Sequence, residues 1–218
     1  MFNLLNSIML SPKFQELNRE FGRDGEFRLL EVGCGNHSAT IAKRIFRNCK
    51  YYGLDKGVYN NDKNDFQLME EFYNIDLASG DLAILPDESF DAIIISHVIE
   101  HLKNGLEVIG RLCRKLKTKG SIYIEFPSER SLSVPHTQGM FYFCGDETHI
   151  KLYDIKEAVN VLLENNFKII KAGPRRNKFR IILAPFRYIY LRYIRKAPYA
   201  ASFLDFFGLA DFILARKR

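Results

Sequence analysis

Residues 27–35 read Phe27-Arg-Leu-Leu-Glu-Val-Gly-Cys-Gly35, a predicted strand that runs directly into a Gly-x-Gly turn. A helix is predicted after the turn, from residue 37 to about residue 48. This order of elements brings backbone N–H groups and a helix N-terminus up to a ligand. Glycine suits the turn because a Cβ atom would meet the ligand or require an unfavourable φ. Asp55 follows Gly35 by twenty residues, where a carboxylate accepts hydrogen bonds from ribose hydroxyls. The stretch therefore predicts a nucleoside-cofactor site at the edge of a sheet.

Strand-like and helix-like runs alternate along the rest of the chain, which predicts an α/β domain with a doubly wound, mostly parallel sheet. The run at residues 90–96 is almost entirely apolar, as expected for a strand that is buried on both faces. Seven strands are predicted in all, at residues 27–32, 51–55, 72–76, 90–96, 121–126, 167–171 and 210–215.

Two residues around the glycine turn distinguish between classes of nucleoside cofactor. A dinucleotide site has a third glycine for packing of the helix next to the pyrophosphate, and that position is Ser38 here. Glu31 precedes the turn, where a carboxylate would repel a pyrophosphate but would suit the cationic amine of a methionine moiety. Both residues favour a methionine-bearing nucleoside over a dinucleotide.

Several segments, in this order and at these intervals, resemble class I S-adenosylmethionine-dependent methyltransferases. They are Leu30-Glu-Val-Gly-Cys-Gly35, Gly53-Leu-Asp55, Leu85-Pro-Asp-Glu-Ser-Phe-Asp91 and Ser96-His-Val-Ile-Glu-His-Leu102. Any one of them is common, whereas the combination is specific, and the resemblance covers residues 28–126. It implies a Rossmann-like methyltransferase fold with an antiparallel seventh strand, and S-adenosylmethionine as the cofactor.

The same resemblance implies which residues contact the cofactor. Glu31, Gly33 and Gly35 would contact the methionine end, and Asp55 would contact the ribose. Asp76 and Leu77 would contact the adenine, and His97 would face the methyl group. Asp81 competes with Asp76 for the adenine, because residues 76–81 offer two acids.

Two histidines are candidates for a catalytic base, which an alcohol acceptor needs because it must lose a proton. His97 directly follows the fourth predicted strand, at the edge where such folds bind their ligands. His149 lies in the segment after the fifth strand, which in the family usually closes over the acceptor. For each of them, a purely structural histidine is the alternative.

Glu100 and His101, together with His136 or His149, offer carboxylate and imidazole ligands for a divalent metal. Small-RNA 2′-O-methyltransferases, which resemble this chain in the sheet core, use a similar arrangement, although His97 stands where that pattern has another glutamate. A Glu-His-Leu string also occurs in methyltransferases that use no metal, where it simply begins the next helix. No metal ligand is therefore assigned from the sequence.

The C-terminal part of the chain is basic: residues 171–218 carry a net charge of +10 and residues 1–170 a net charge of −4. About forty residues separate the sixth strand from the seventh, where the family usually has a direct turn. After Pro185 a helix is predicted that has an apolar stripe and a basic face. The apolar stripe consists of Phe186, Ile189, Tyr190, Tyr193 and Ile194. The basic face consists of Arg187, Arg192, Arg195 and Lys196. Phe203, Phe206 and Phe207 form a second aromatic cluster.

Three interpretations of this insert remain open. A basic amphipathic helix with aromatic residues suits the surface of an anionic membrane. It would also bind the phosphates of a nucleotide-linked or lipid-linked acceptor, or RNA. Alternatively, the apolar stripe packs on the domain's own sheet.

Composition excludes several classes of protein. The 218 residues are 47% hydrophobic and 27% charged, which is ordinary for a globular domain. No apolar run is long enough to cross a bilayer, and the N-terminus does not resemble a secretory signal. Four cysteines are scattered without a Cys-x-x-Cys pair, which predicts free thiols in a reducing compartment. We therefore expect a cytoplasmic protein, peripheral at the inner membrane surface if the insert docks there.

The chain is predicted to be a single methyltransferase domain. Its parts are an N-terminal helix (1–25), a cofactor-binding core (26–126), an acceptor-side segment (127–176), the basic aromatic insert (177–209) and the last strand (210–218).

The expected reaction is O-methylation of a sugar in a lipid-linked or nucleotide-linked glycan precursor, because the C-terminal pattern resembles bacterial methyltransferases of surface-glycan biosynthesis. The alternatives are a quinone-precursor methyltransferase, a metal-dependent RNA 2′-O-methyltransferase, and a regulatory subunit that binds S-adenosylmethionine without turnover. A small-molecule or glycan partner is expected rather than a nucleic acid.

Overall fold

The computed structural model describes residues 10–134, 142–196 and 203–218. The strands are β1 (Phe27–Val32), β2 (Cys49–Asp55), β3 (Glu71–Asn74), β4 (Phe90–Ser96), β5 (Leu116–Pro127), β6 (Phe167–Pro174) and β7 (Ala210–Lys217). The helices are α1 (Pro12–Phe21), α2 (Ser38–Ile45), α3 (Lys63–Gln67), α4 (Gly105–Cys113), α5 (Ile155–Glu164), α6 (Lys178–Ile189), continued by a π-helical segment (Tyr190–Arg195), and α7 (Leu204–Phe207).

The strands form one sheet in the order β3-β2-β1-β4-β5-β7-β6. All neighbours are parallel except β7, which is antiparallel to both β5 and β6. Seven strands, mostly parallel with an antiparallel last strand and helices between them, confirm the predicted doubly wound fold. Among the described residues, no helix combines the length and the apolar character that a bilayer crossing requires.

The sheet is buried on both faces, which explains the apolar run in β4. Ile93 belongs to the core cluster on one face, together with Leu112 of α4 and Leu162 of α5. Its neighbour Ile94 belongs to the cluster on the other face, where Phe14 of α1 packs. Because successive side chains of a strand point to opposite faces, a central strand covered on both sides has no position for an exposed polar residue.

The insert between β6 and β7 leaves and rejoins the sheet at its carboxyl edge. In the strand register, Pro174 at the end of β6 pairs with Asp211, and Pro127 at the end of β5 pairs with Ala210. The insert therefore begins and ends beside the carboxyl ends of the parallel strands, which is where ligands bind in open α/β sheets.

Two predicted boundaries near this edge are wrong. The helix after the glycine turn is shorter than residues 37–48. It begins at Ser38 because His37 has φ of 58°, a left-handed conformation that an α-helix does not contain, and it ends at Ile45 because Phe46 is extended. The third strand ends at Asn74 rather than at Asp76. Asp76 instead forms a turn in which its Oδ1 accepts a hydrogen bond from Ala78 N at 2.9 Å.

The helix of the insert begins before Pro185, not after it. Asn177 caps α6, and its side-chain oxygen accepts hydrogen bonds from the backbone N–H groups of Phe179 and Arg180. Pro185 lies within the helix, where it removes one backbone donor. A good cap with a following amphipathic run therefore outweighs the proline, although the sequence interpretation relied on the proline as a boundary.

Candidate active site

The glycine turn is closely packed by the protein itself. Gly33 has φ of 76°, and a Cβ atom there would lie 2.4 Å from Cγ2 of Val98. A Cβ atom on Gly35 would lie 2.7 Å from Cβ of Tyr59. The sequence indicated that these positions need glycine because a Cβ atom would meet the ligand or require an unfavourable φ, and the φ of Gly33 agrees with the second reason. In the structure, backbone conformation and the neighbouring Val98 and Tyr59 already require it.

Glu31 is buried beside the turn, and protein donors engage both of its oxygens. Oε1 accepts hydrogen bonds from Lys13 Nζ and, at 2.7 Å, from Ser38 Oγ. Oε2 accepts one from the hydroxyl of Tyr51 at 2.9 Å. Ser38, which stands at the position of the missing third glycine, therefore helps to hold Glu31. The ammonium that faces this carboxylate belongs to Lys13 of α1, a contact that the sequence did not predict.

Asp55 ends β2, and Asp76 lies two residues after the end of the neighbouring strand β3. Asp55 is half-buried at the end of β2, and its carbonyl accepts a hydrogen bond from Ile75 N at 3.0 Å. Burial raises the pKa of the Asp55 carboxyl group, while hydrogen bonds from nearby backbone N–H groups, including that of Gly35, act to lower it. Asp76 is exposed. Leu77, predicted to lie beside an adenine ring, is buried in the core cluster of one sheet face.

Asp81, the competing acid, serves a local structural role. Its Oδ1 accepts a hydrogen bond from Ala83 N at 2.8 Å and so caps a short 3₁₀ turn. The guanidinium of Arg111 lies 3.7 Å from the same carboxylate. These contacts hold Asp81 at the surface near α4.

His97 follows β4 and lies between two buried carboxylates. Its Nδ1 is 3.0 Å from Oε1 of Glu100, and its Nε2 is 3.2 Å from Oε1 of Glu125. Burial acts to lower the pKa of His97, but the hydrogen bonds and charges of Glu100 and Glu125 outweigh it and raise the pKa to about 9. At neutral pH both ring nitrogens then carry protons and donate to these carboxylates. This geometry argues against His97 as a proton acceptor, since a base needs a free lone pair.

A chain of buried charges leads from His97 to the insert. Glu125 accepts hydrogen bonds from Arg175 and Tyr123, and the Arg175 guanidinium and His97 hold the pKa of the Glu125 carboxyl well below its usual range, against the effect of burial. Arg175 also lies 3.1 Å from Asp205 of α7, which pairs at 3.1 Å with Arg180 of α6. The sequence analysis did not identify these residues. The sequence does contain a signal for these residues: Glu125 is a carboxylate within the buried strand β5, and a buried carboxylate requires a cationic partner.

The second candidate base, His149, lies beside His101. The two rings are 4.8 Å apart, and His149 stacks on Phe143 at 4.7 Å. Nδ1 of His149 is 2.7 Å from the carbonyl oxygen of Phe143, and Nδ1 of His101 is 3.1 Å from the carbonyl oxygen of Thr148. The structure therefore brings the segment after β5 onto the turn after β4. His136, the other histidine considered, is outside the described residues.

The apolar stripe of the insert is exposed to solvent. Phe186 and Ile194 are each 69% exposed, and Tyr193 is 65% exposed. The helix also carries exposed Phe179 and Ile182 on its first turns. The interpretation in which this stripe packs on the domain's own sheet is therefore wrong for these residues.

Comparison with known proteins gives a consistent result. A family model described as a methyltransferase domain matches residues 7–172. Among curated proteins, the (S)-coclaurine N-methyltransferase of Papaver somniferum is 25% identical over 114 residues. That match covers 51% of this chain and 32% of the relative, so the chain corresponds to about a third of the relative's length.

Solved structures share the fold at low sequence identity. A SAM-dependent methyltransferase from Archaeoglobus fulgidus is 19% identical with a TM-score of 0.59, and the match covers 94% of this chain and 93% of that one. A phosphoethanolamine N-methyltransferase 2 from Haemonchus contortus, in complex with phosphomonomethylethanolamine and S-adenosylhomocysteine, is 17% identical with a TM-score of 0.62. That match covers 94% of this chain and 52% of that one.

Proposed function

The chain belongs to this methyltransferase domain family, and we propose that it transfers the methyl group of S-adenosylmethionine to a hydroxyl oxygen of a sugar, in a lipid-linked or nucleotide-linked glycan precursor. The transfer is an in-line displacement: the acceptor oxygen forms a bond to the methyl carbon, and the bond from carbon to sulfur breaks. The cofactor supplies the reactive methyl group, and the protein contributes mainly by positioning the two substrates.

The cofactor assignment is supported by the arrangement at the carboxyl ends of β1 and β2. The glycine turn at Gly33 and Gly35 leaves its backbone close to the edge of the sheet, and Asp55 stands at the end of the next strand. We assign Asp55 to the ribose hydroxyls and Asp76, in the turn after β3, to the adenine. Because Glu31 is already paired with Lys13, it acts through the shape and charge of the turn.

An oxygen acceptor is supported by the histidine pair. An alcohol must lose its proton as it is methylated, whereas a neutral amine acceptor needs no such help. His149, not His97, is the histidine that we propose acts on the acceptor hydroxyl. The contact of its Nδ1 with a backbone carbonyl makes that nitrogen the proton donor, so the lone pair is on Nε2.

The exposed insert is the single observation that carries the choice of acceptor class. Its apolar stripe and its arginines reach solvent. The buried ion pairs of Arg175 with Glu125 and with Asp205 attach it to the carboxyl edge of the sheet. Apolar and cationic groups at the mouth of a site suit an acceptor that has a lipid chain and phosphate groups, presented at an anionic membrane surface. We propose that residues 177–209 make this peripheral contact on the cytoplasmic side.

The test is a screen of acceptors with radiolabelled S-adenosylmethionine. Its arms are lipid-linked glycan precursors, nucleotide sugars, quinone precursors and RNA. Label transferred to a sugar hydroxyl in either of the first two arms supports the proposal, and transfer only to a quinone precursor or to RNA contradicts it. Calorimetry checks the cofactor separately. Loss of the Asp55 carboxylate in Asp55→Ala should weaken binding by about tenfold to a hundredfold, the range for a hydrogen bond to a charged group.

A further inference from the structure

We infer that Glu100, His101 and His149 form a binding site for one divalent metal ion. Each residue offers one ligand atom, and these three atoms lie within 4.8 Å of one another. Glu100 and His101 belong to the turn that follows β4, and His149 to the segment that follows β5. The site is therefore at the carboxyl edge of the sheet, next to His97.

Glu100 provides the strongest indication of a missing cation. Its side chain is 1% exposed, and its Oε1 lies 3.0 Å from Nδ1 of His97. Among the described residues, no donor reaches its Oε2, which is also buried. A buried carboxylate oxygen without a partner is costly, because it has lost its hydrogen bonds to water and gained nothing in return. A cation on this oxygen would remove that cost.

Both imidazoles are oriented as metal ligands usually are. Nδ1 of His149 lies 2.7 Å from the carbonyl oxygen of Phe143, and Nδ1 of His101 lies 3.1 Å from that of Thr148. A carbonyl accepts only, so Nδ1 is the donor in each ring and Nε2 has the lone pair. Histidine ligands typically donate their other ring N–H to a carbonyl or a carboxylate in this way, which fixes the tautomer and the ring plane.

Backbone hydrogen bonds join the two chain segments that supply the ligands. The backbone N–H groups of Ile150 and Lys151 both donate to the carbonyl oxygen of Glu100, at 2.8 and 3.1 Å. Ligand atoms on one ion, with bonds of about 2.1 Å, lie at most about 4.2 Å apart. Small side-chain rotations therefore complete the site, without movement of the backbone. Oδ2 of Asp146, 3.8 Å from Nε2 of His149, is placed to add a second carboxylate.

The donor set favours a borderline ion such as Zn²⁺, Mn²⁺ or Co²⁺, since it combines two imidazoles with a carboxylate. For the reaction, this inference rests on the proposed function. An ion held there would supply Lewis acidity: it would lower the pKa of an acceptor hydroxyl, whose proton would leave to solvent. The acceptor oxygen would then bond to the methyl carbon as the carbon–sulfur bond breaks, with its electron pair left on sulfur, which gives S-adenosylhomocysteine. His149 then acts on the hydroxyl as a ligand of the ion.

A second group of residues supplies a matched control. His37, Asp62 and Asp65 also lie close enough for an ion. Thr40 and His37 donate to the two oxygens of Asp65, each at 2.6 Å, and Asp62 caps α3. These carboxylates already have partners within the protein, so no binding is expected there. His37→Asn keeps a residue that tolerates the left-handed backbone.

The test is metal binding by the full chain, stripped with EDTA and dialysed. Titration with Co²⁺ is followed by visible absorption, and binding of Zn²⁺ by equilibrium dialysis. The wild type and His37→Asn should bind one ion per chain. His101→Asn and His149→Gln should bind at least about a hundredfold more weakly, because each lacks a ligand. Circular dichroism checks that each variant is folded. A rise in the wild-type melting temperature with Zn²⁺ gives a readout that needs no variant.

The inference is overturned if the wild type binds no stoichiometric ion, or if the two ligand variants bind within about threefold of the wild type. Because neither readout uses an acceptor or the cofactor, a failed acceptor screen with intact metal binding would reject the proposed function and leave the site. If the wild type fails to bind a stoichiometric ion but still methylates a sugar, the metal site is rejected and the proposed function stands.

Discussion

Arg175 donates from its Nη1 to Oε1 of Glu125 across 2.6 Å, and both side chains are buried. The same carboxylate oxygen lies 3.2 Å from Nε2 of His97, and Arg175 also pairs with Asp205 of α7. One guanidinium thus connects the strand that ends at the candidate active site with the helices of the insert. The position of the insert relative to the site is therefore set by buried charge pairs, although most of the insert's apolar surface is in solvent.

Replacement of Arg175 should destabilise the whole domain. In Arg175→Met, the buried carboxylates Glu125 and Asp205 lose their shared cation, and removal of one partner of a buried pair typically costs about 3 to 5 kcal/mol. We expect urea unfolding to show a loss of this size in the free energy of unfolding. Arg176→Met is the matched control, because Arg176 is exposed and its replacement should change stability by less than about 0.5 kcal/mol. Equal effects of the two variants would contradict the assigned role of Arg175.

The charge on His97 should make stability fall at alkaline pH. The pKa of His97 is about 9 in the folded protein and about 6.5 in an unfolded chain. Between these values the folded state binds a proton that the unfolded state does not, so the free energy of unfolding decreases as pH rises. The decrease is at most about 1.4 kcal/mol per pH unit, and the full contribution of His97 is present only below about pH 6.5.

The measurement is urea unfolding of wild type and His97→Gln at several pH values from 6 to 9.5. Other groups titrate in both proteins, so the difference between them isolates His97. Wild type should lose stability relative to His97→Gln across this range. Parallel pH profiles would mean that His97 is neutral in the folded protein, and would restore it as a candidate base.

The parallel sheet could be predicted from the sequence because each strand is a local pattern. The apolar run of β4 and the glycines after β1 are visible within a few residues, and their meaning does not depend on distant partners. The pairing of Glu125 with Arg175 joins residues fifty positions apart, and only the folded sheet brings them together. The protonation state of His97 could not be predicted for the same reason, since one of its two carboxylates lies on another strand.

The glycine turn shows a second limit of sequence interpretation. The pattern correctly indicated that positions 33 and 35 require glycine, but the neighbouring residues Val98 and Tyr59 could not be predicted from it.

The insert shows a third limit of sequence interpretation. Amphipathic spacing predicted the apolar stripe of α6, but spacing alone does not say whether such a stripe faces the core or the solvent.

Substitution of Gly33 should affect stability and cofactor binding together. In Gly33→Ala, the Cβ atom would lie 2.4 Å from Cγ2 of Val98, and φ of 76° is unfavourable for alanine. We expect a loss of about 1 to 3 kcal/mol in the free energy of unfolding and a loss of S-adenosylmethionine binding by calorimetry. Gly110→Ala in α4 is the control, because its Cβ atom would make only ordinary contacts, at 3.7 Å with Asn165 and 3.8 Å with Val161. That change should stabilise the protein by about 0.5 to 1 kcal/mol and leave cofactor binding unchanged.

The insert should bind anionic membranes through its aromatic stripe and its arginines. Phe186 of α6 and Tyr193 of the π-helical segment that continues it are both exposed, and glutamate at either position would bring a charged group to the bilayer interface. We expect the wild type to float with liposomes that contain anionic lipid, and the double variant Phe186→Glu/Tyr193→Glu to bind them at least about tenfold more weakly. Ile84→Glu is the matched control, since Ile84 is equally exposed at 66% but lies outside the insert.

Salt distinguishes membrane docking from a site that binds only a small phosphate compound. Cationic side chains near an anionic surface contribute about 1 kcal/mol each, and this attraction is screened as ionic strength rises. Flotation of the wild type should therefore decrease from 50 to 500 mM salt, while binding to neutral liposomes stays weak throughout. If the double glutamate variant floats as well as Ile84→Glu, the exposed stripe does not contact the bilayer. The acceptor would then reach the site from solution as a nucleotide-linked sugar.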